Sequence, residues 1–187
     1  MNQDIFSLNN KVIVLTGAAG LLGKYHAEAI ASQGGNLVLL DINKDALFMQ
    51  KDELQEKFSS DIIALDVDVS SEKDLTKARN EIMKHYGQIN GLVNNAANNP
   101  KMEASKEDNF SRIENFPLEI WEKDLSVGLT GAFLCAKYFG PEINANKSGG
   151  SIVNISSDLG LIAPDQRLYQ DPNVKEDEQK VKPVSYS

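Results

Sequence analysis

The 187-residue chain has little of what marks several large functional classes. It has one cysteine, Cys135, so no internal disulfide can form. That residue sits in the apolar run Phe133-Leu134-Cys135-Ala136-Lys137, where a buried, inert thiol is expected rather than a nucleophile. No apolar run reaches membrane-spanning length, and the first ten residues lack the basic stretch of a secretion signal. Positive charge is also short: 19 Lys and Arg against 27 Asp and Glu leave a net charge of −8. That balance argues against nucleic acid or an anionic membrane as partner. There is no internal repeat, no low-complexity tract and no metal site to expect. With 41% hydrophobic residues there is enough for a core, and the expectation is one soluble, cytoplasmic domain spanning residues 1–187.

What is present is concentrated first in Lys11–Gln33. Four apolar residues, Val12–Leu15, read as a buried parallel strand. The turn Thr16-Gly17-Ala18-Ala19-Gly20-Leu21-Leu22-Gly23 comes at once, and then a helix ending near Gly34-Gly35. Leu22, Ala29 and Ile30, with Ala27 nearby, are expected to form its apolar stripe. Strand, glycine turn and helix together suit a dinucleotide. The backbone can approach a pyrophosphate without a Cβ in the way, beside the positive end of a helix. Gly20→Val is accordingly expected to impair cofactor binding more than folding, because a β-branched side chain would crowd the turn and resist a positive φ.

The alternation continues. Asn36–Leu40 reads as a second strand ending in Asp41, eighteen residues past Gly23. An acid there either caps the next helix, from Asn43, or binds the adenosine ribose diol. The glycine turn favours the ribose role, and a carboxylate there would repel a 2′-phosphate, so NAD is expected over NADP. Asn43–Phe58 is a helix with Leu47, Leu54 and Phe58 on one side, Asp61–Val69 a third strand, and Ser70–His85 a third helix. A fourth strand, Ile89–Val93, runs into Asn94-Asn95-Ala96-Ala97-Asn98. Alternating strands and helices predict an α/β fold, a doubly wound parallel sheet of Rossmann type in three layers, α/β/α.

TGAAGLLG, Asp41, DVDVS and NNAA together resemble the short-chain dehydrogenase/reductase family, over essentially the whole chain from Leu8 onward. The resemblance implies a nicotinamide cofactor bound by Gly17, Gly20, Leu22, Gly23 and Asp41. It implies adenine contacts at Asp68 and Val69, and a segment, Asn95, Ala96 and Ala97, that steadies the sheet and lines the cofactor. Two departures appear here. The glycines follow TGxxGxxG, a spacing commoner in the longer, nucleotide-sugar branch, and Ala97 replaces a glycine.

Asn98–Asn115, with Lys101, Lys106 and Arg112, is long for a connection. A solvated surface excursion and a substrate-facing loop stand level as readings. Pro117–Phe139 is expected as the longest helix, with Trp121, Leu125, Leu129, Phe133 and Ala136 at helical spacing and its aromatics in the core or at a subunit interface. The family's helix asparagine is missing, because the matching run is Val127-Gly128-Leu129-Thr130-Gly131. Gly128 can keep a bend there but supplies no amide.

Ser151–Ile155 reads as a fifth strand. By resemblance, Ser157 at its carboxyl end hydrogen-bonds the substrate oxygen; the bland alternative is a strand-end serine that caps the next element. Tyr169 does not fit the family's tyrosine, since Asn173 lies four residues on and Asp171-Pro172 breaks a helix. Pro183-Val184-Ser185-Tyr186-Ser187 resembles the start of "YSxxK", which makes Tyr186 the general acid/base. The matching lysine would fall past Ser187. Between Ser157 and Tyr186 lies a charged insertion with Arg167, Lys175 and Lys180, read as solvated for most of its length and as an enlarged lid at its ends. The chain is thus expected to be the N-terminal part of a longer oxidoreductase that moves a hydride between NAD and a secondary alcohol or ketone, possible substrates being a sugar or nucleotide sugar. The complete protein is expected to be a homo-oligomer acting on a small molecule, and the piece ending at Ser187 to be inactive. Gly128 to Tyr169 is more distantly similar to members linked to surface-sugar or flagellin modification. The rival reading is a nucleotide-binding protein of the same fold without turnover.

Overall fold

The computed structural model describes residues 5–98, 111–183 and 185. The chain divides into two compact units, one of Met1–Ala97 with Val127–Ile155, the other of Asn98–Ser126 with Ser156–Ser187.

The first unit is built on a five-stranded parallel sheet: β1 Val12–Thr16, β2 Asn36–Asp41, β3 Ile62–Asp66, β4 Gly91–Asn94 and β5 Ser151–Asn154, in spatial order β3-β2-β1-β4-β5. The helices are α1 Leu21–Ser32, α2 Lys44–Lys57, α3 Glu72–Tyr86 and, past the fourth strand, α4 Leu118–Leu125 and α5 Gly131–Asn144. Central strands are buried on both faces, and successive residues feed opposite cores. Val12, Val14, Val38 and Leu40 pack with Leu75, Ile82 and Phe139 of α3 and α5. Leu15, Leu37 and Leu39 pack with Ala27, Leu47 and Leu54 of α1 and α2. The expected three-layer, Rossmann-like architecture is therefore present.

Several expected details differ. The buried face of α1 is Gly23, Ala27 and Ala31, four residues apart, whereas Leu22 is 53% exposed and Ala29 is exposed. Small residues allow the helix to lie close on the sheet, so the larger apolar side chain is the one turned out. β3 stops at Asp66, because beyond it Val67 and Val69 bury their side chains without extending the ladder. The expected single helix over Pro117–Phe139 is two helices joined by a π-helical turn, Ser126–Thr130, with Gly128 inside it. A π turn is a recognised cause of a helix bend. Leu129 and Phe133 are exposed by 67% and 64%, so the core contacts of α5 come from Leu134, Cys135, Phe139 and Ile143 instead.

The second unit contains α4 and three short 3-10 turns in the insertion, Asp158–Gly160, Gln166–Tyr169 and Glu176–Glu178. Among the described residues no helix is long and apolar enough to cross a membrane.

Candidate functional site

β1 runs outward to β2 on one side, while β4 lies on its other side, so the strand order reverses between β1 and β4. In open parallel sheets this switch point opens a crevice at the carboxyl ends of the strands. The turns after β1 and β4 meet there.

The first turn is shaped by glycine. Gly17 has φ +62°, and a Cβ on it would lie 2.8 Å from Ala96 Cα. Gly23 sits against the turn so closely that a Cβ would come within 2.2 Å of the Gly17 carbonyl oxygen. Gly20 differs from expectation: its φ is −73°, an ordinary extended backbone, and a Cβ would meet only the Gly17 oxygen, at 3.2 Å. A side chain at Gly20 thus strains no torsion; it only fills space over the turn. Gly20 is also the N-cap of α1 and offers no side-chain bond, so the first-turn N–H groups keep their capacity for an external acceptor. Such an uncapped N-terminus favours an anion.

Thr16, absent from the sequence-based candidates, is the hub of the second turn. Its buried hydroxyl accepts the N–H groups of Asn95 and Ala96, at 3.0 Å each, and donates to the Val93 carbonyl at 3.4 Å. The Asn95 amide donates to the carbonyls of Thr16 and Gly17. The signal was the threonine directly before the first glycine, at the point where β1 ends. Asn94 is also buried and donates to Asn154 Oδ1 at 2.8 Å, tying β4 to β5.

Asp41 closes the far side of the turn. Its Oδ2 accepts the Ala19 N–H at 2.9 Å, and its Oδ1 accepts the Asn43 N–H at 2.8 Å. Asn43 itself caps α2 by accepting from Ala46. Each Asp41 oxygen keeps acceptor capacity for a hydroxyl. Asp68 is exposed and bound to Ser70, whereas the Val69 side chain is in the core, leaving its backbone for any ligand contact. Ala97, the next residue after Ala96, is exposed.

In the second unit, Ser157 caps the 3-10 turn Asp158–Gly160. Its Oγ accepts the Leu159 N–H at 3.2 Å and donates to the Asp158 carboxylate at 3.1 Å. The capping alternative is thus realised in this arrangement. Tyr186 lies outside the described residues, as do Lys101 and Lys106. Its neighbour Ser185 donates its hydroxyl to Asp124 of α4, whose other oxygen accepts the Asn98 amide at 2.6 Å. Cys135 is fully buried, and burial pushes its thiol pKa up to about 12, as an inert thiol requires.

A glycine turn at the switch point, an uncapped helix behind it and a carboxylate at the end of the next strand define a dinucleotide-binding parallel α/β protein. The family model for short chain dehydrogenase matches residues 11–169, and the chain belongs to that family. The chain is 35% identical over 163 residues to an NAD-dependent glycerol dehydrogenase of Listeria innocua, covering 87% of this chain and 59% of the relative. It is 28% identical over 170 residues to the post-translational flagellin modification protein A of Campylobacter coli, covering 90% and 63% respectively. Among solved structures, an NAD+-bound xylitol dehydrogenase superposes with a TM-score of 0.74 at 28% identity, covering 84% of this chain and 56% of that one. The chain therefore spans little more than half the length of these relatives.

Proposed function

We propose that the protein is the N-terminal part of an NAD-dependent oxidoreductase that interconverts a secondary alcohol and a ketone, with a polyol or sugar as substrate. The observation that carries this reading is Asp41: it is fastened to the pyrophosphate turn through the Ala19 N–H and still holds acceptor capacity for a ribose diol. In this reading the first-turn N–H groups of α1 hold the pyrophosphate, Gly17, Gly20 and Gly23 leave room for it, and Leu22 covers it from its exposed position. Asp68 and the Val69 backbone border the adenine, and Asn95, Ala96 and Ala97 line the nicotinamide side. The cofactor, when bound, supplies or accepts the hydride. Ser157 holds the substrate oxygen after its hydroxyl turns from Asp158, and Tyr186 transfers the proton. The similarity to a glycerol dehydrogenase and a xylitol dehydrogenase supports polyols. Residues 1–187 as one cofactor-binding domain, a cytoplasmic location and a homo-oligomeric complete protein belong to the same reading.

Binding without turnover is the second reading, favoured by Gly128 in place of an amide-bearing residue and by the commitment of the Ser157 hydroxyl to Asp158. The experiment tracks NADH absorbance with glycerol, xylitol, ketoses and nucleotide sugars, using a protein continued through the family's lysine and closing strands. Turnover lost in Tyr186→Phe but with NADH binding kept supports the oxidoreductase. NADH binding with no turnover of any candidate supports the second reading.

A further inference from the structure

The second unit holds a cleft of about 480 Å3 that the cofactor reading does not use. Small-ligand pockets run from about 300 to 1,000 Å3, so it has room for one small molecule. It is formed by two stretches, Ser111–Glu114 and 163–182, and its walls are fastened to one another. The Val181 N–H donates to Ser111 Oγ at 3.0 Å, and the Lys182 N–H donates to Gln166 Oε1 at 2.9 Å. Gln179 donates to the Asp171 carbonyl and accepts the Asp171 N–H. Ser111, Gln166 and Gln179 are therefore spent on holding its shape.

Arg112 lines the cleft and is held at two points. Its Nε donates to Glu114 at 2.5 Å and its Nη1 to the Glu176 carbonyl at 3.2 Å. Its Nη2 has no partner among the described residues. A guanidinium fixed by its own wall loses little freedom when it takes a further acceptor, and its planar fork suits an oxyanion. Glu114, whose pKa the Arg112 hydrogen bond lowers, neutralises part of that charge. Lys180, Lys182 and Glu176 line the same cleft. The Gln170 amide, likewise on the lining, is uncommitted among the described residues, and Ile113, Ala163, Pro164 and Val181 give an apolar wall for a carbon chain.

We propose that this cleft binds a small hydroxylated organic oxyanion, with Arg112 taking the carboxylate or phosphate and Gln170 a hydroxyl. The site lies within one unit and goes beyond the hydride-transfer reading, because binding here needs no turnover.

Calorimetry on the 187-residue chain tests it with four probes: gluconate, glucose 6-phosphate, neutral glucitol and inorganic phosphate. Gluconate or glucose 6-phosphate is expected to bind one per chain, and the tighter of the two tells carboxylate from phosphate. Glucitol and inorganic phosphate are each expected to be weaker by about tenfold or more. Arg112→Gln should lower affinity by about tenfold and leave NADH binding unchanged, and Arg112→Lys should fall between the two. Equal binding of gluconate and glucitol, or undiminished binding by Arg112→Gln, would overturn the anion site. Inorganic phosphate binding as tightly as either polyol anion would overturn the assigned ligand class. Should Arg112→Gln fail to fold, Pro164→Trp, at another residue of the lining, fills the cleft, and retained affinity there would refute the location.

Discussion

Asn95 reaches from the turn after β4 to the carbonyls of Thr16 and Gly17, at 3.0 Å each, so one amide fixes the glycine turn from across the switch point. Thr16 completes the exchange by accepting the Asn95 and Ala96 N–H groups. The two turns that border the crevice are in effect one hydrogen-bonded piece. Removing either partner leaves buried polar groups unpaired, which costs about 1–3 kcal/mol. Asn95→Leu and Thr16→Val are each expected to lower unfolding free energy by that amount in urea. If the two effects simply add in the double variant, the groups do not form one network.

Cofactor choice should follow Asp41. The unmodified chain is expected to bind NADH more tightly than NADPH, by about tenfold or more, in a fluorescence titration. Asp41→Ala should weaken NADH and narrow the difference. It should also loosen the turn, since the Ala19 N–H loses its acceptor. Equal affinities for the two cofactors in the unmodified chain would remove the ribose role.

Gly23 and Gly20 should part company on substitution. Gly23→Ala places a methyl 2.2 Å from the Gly17 oxygen and 2.5 Å from the Ala18 oxygen, and should destabilise by about 1–3 kcal/mol or more. Gly20→Ala meets one atom at 3.2 Å with an unstrained φ, and should melt close to the parent. Gly20→Val should fold and yet bind NADH poorly, by crowding the pyrophosphate rather than by straining the backbone. Parent-like NADH affinity in that variant would place the phosphate elsewhere.

The cysteine gives a probe of global opening. With its pKa pushed up to about 12 and no exposure, Cys135 should not react with a thiol reagent at pH 8 until the chain unfolds. The rate of labelling in rising urea then reports opening of the core shared by α3, α5 and the sheet. Fast labelling in the native state would show that α5 leaves the sheet locally.

The 187-residue chain should bind cofactor without useful turnover. A free tyrosine titrates near pH ~10, and the family's lysine supplies the positive charge that lowers it. A protein extended through that lysine and the closing strands should oxidise or reduce its substrate, while the shorter chain should not. Comparable turnover by both would mean that catalysis does not depend on a Tyr–Lys pair.

The fold was largely legible because its signals are local. Valine and leucine runs at β1 and β2, caps at Asn43 and Ser71, and the αL glycine Gly87 that ends α3 all act within a few residues. The misreadings came where a choice depends on distant contacts. Hydrophobicity picked Leu22 for the buried stripe of α1; Ala27 and Ile30 do face the core, but close packing on the sheet put Gly23 and Ala31 beside them and turned Leu22 out. Regular spacing joined Trp121 to Phe133, and a π turn at Gly128 broke the phase. At the site, motif residues were visible, but the role of Thr16 was not, because its only signal is a threonine directly before the first glycine. For Ser157 the sequence left two roles open, and its hydroxyl accepts the Leu159 N–H, while the substrate contact stays part of the proposed function.

Alternation of side chains over two cores has a consequence for strand alignment. In β2, Leu37 and Leu39 face one core while Val38 and Leu40 face the other, and all four are fully buried. Sliding such a strand by one residue exchanges the inner apolar side chains between cores and moves only one end residue, Leu37 or Leu40, to a half-exposed position. Apolar burial therefore penalises slippage far less here than in a one-sided sheet. Alignment has to be written in polar ink at the strand ends. Asn90 Oδ1 takes the Val12 N–H at 2.8 Å, Asn36 Oδ1 takes the Asp61 N–H at 3.2 Å, and Asp41 takes the Ala19 N–H. Exchanging Asn90 and Asn36 for leucine would add to the apolar content of the sheet and still make it less certain which residue sits opposite which.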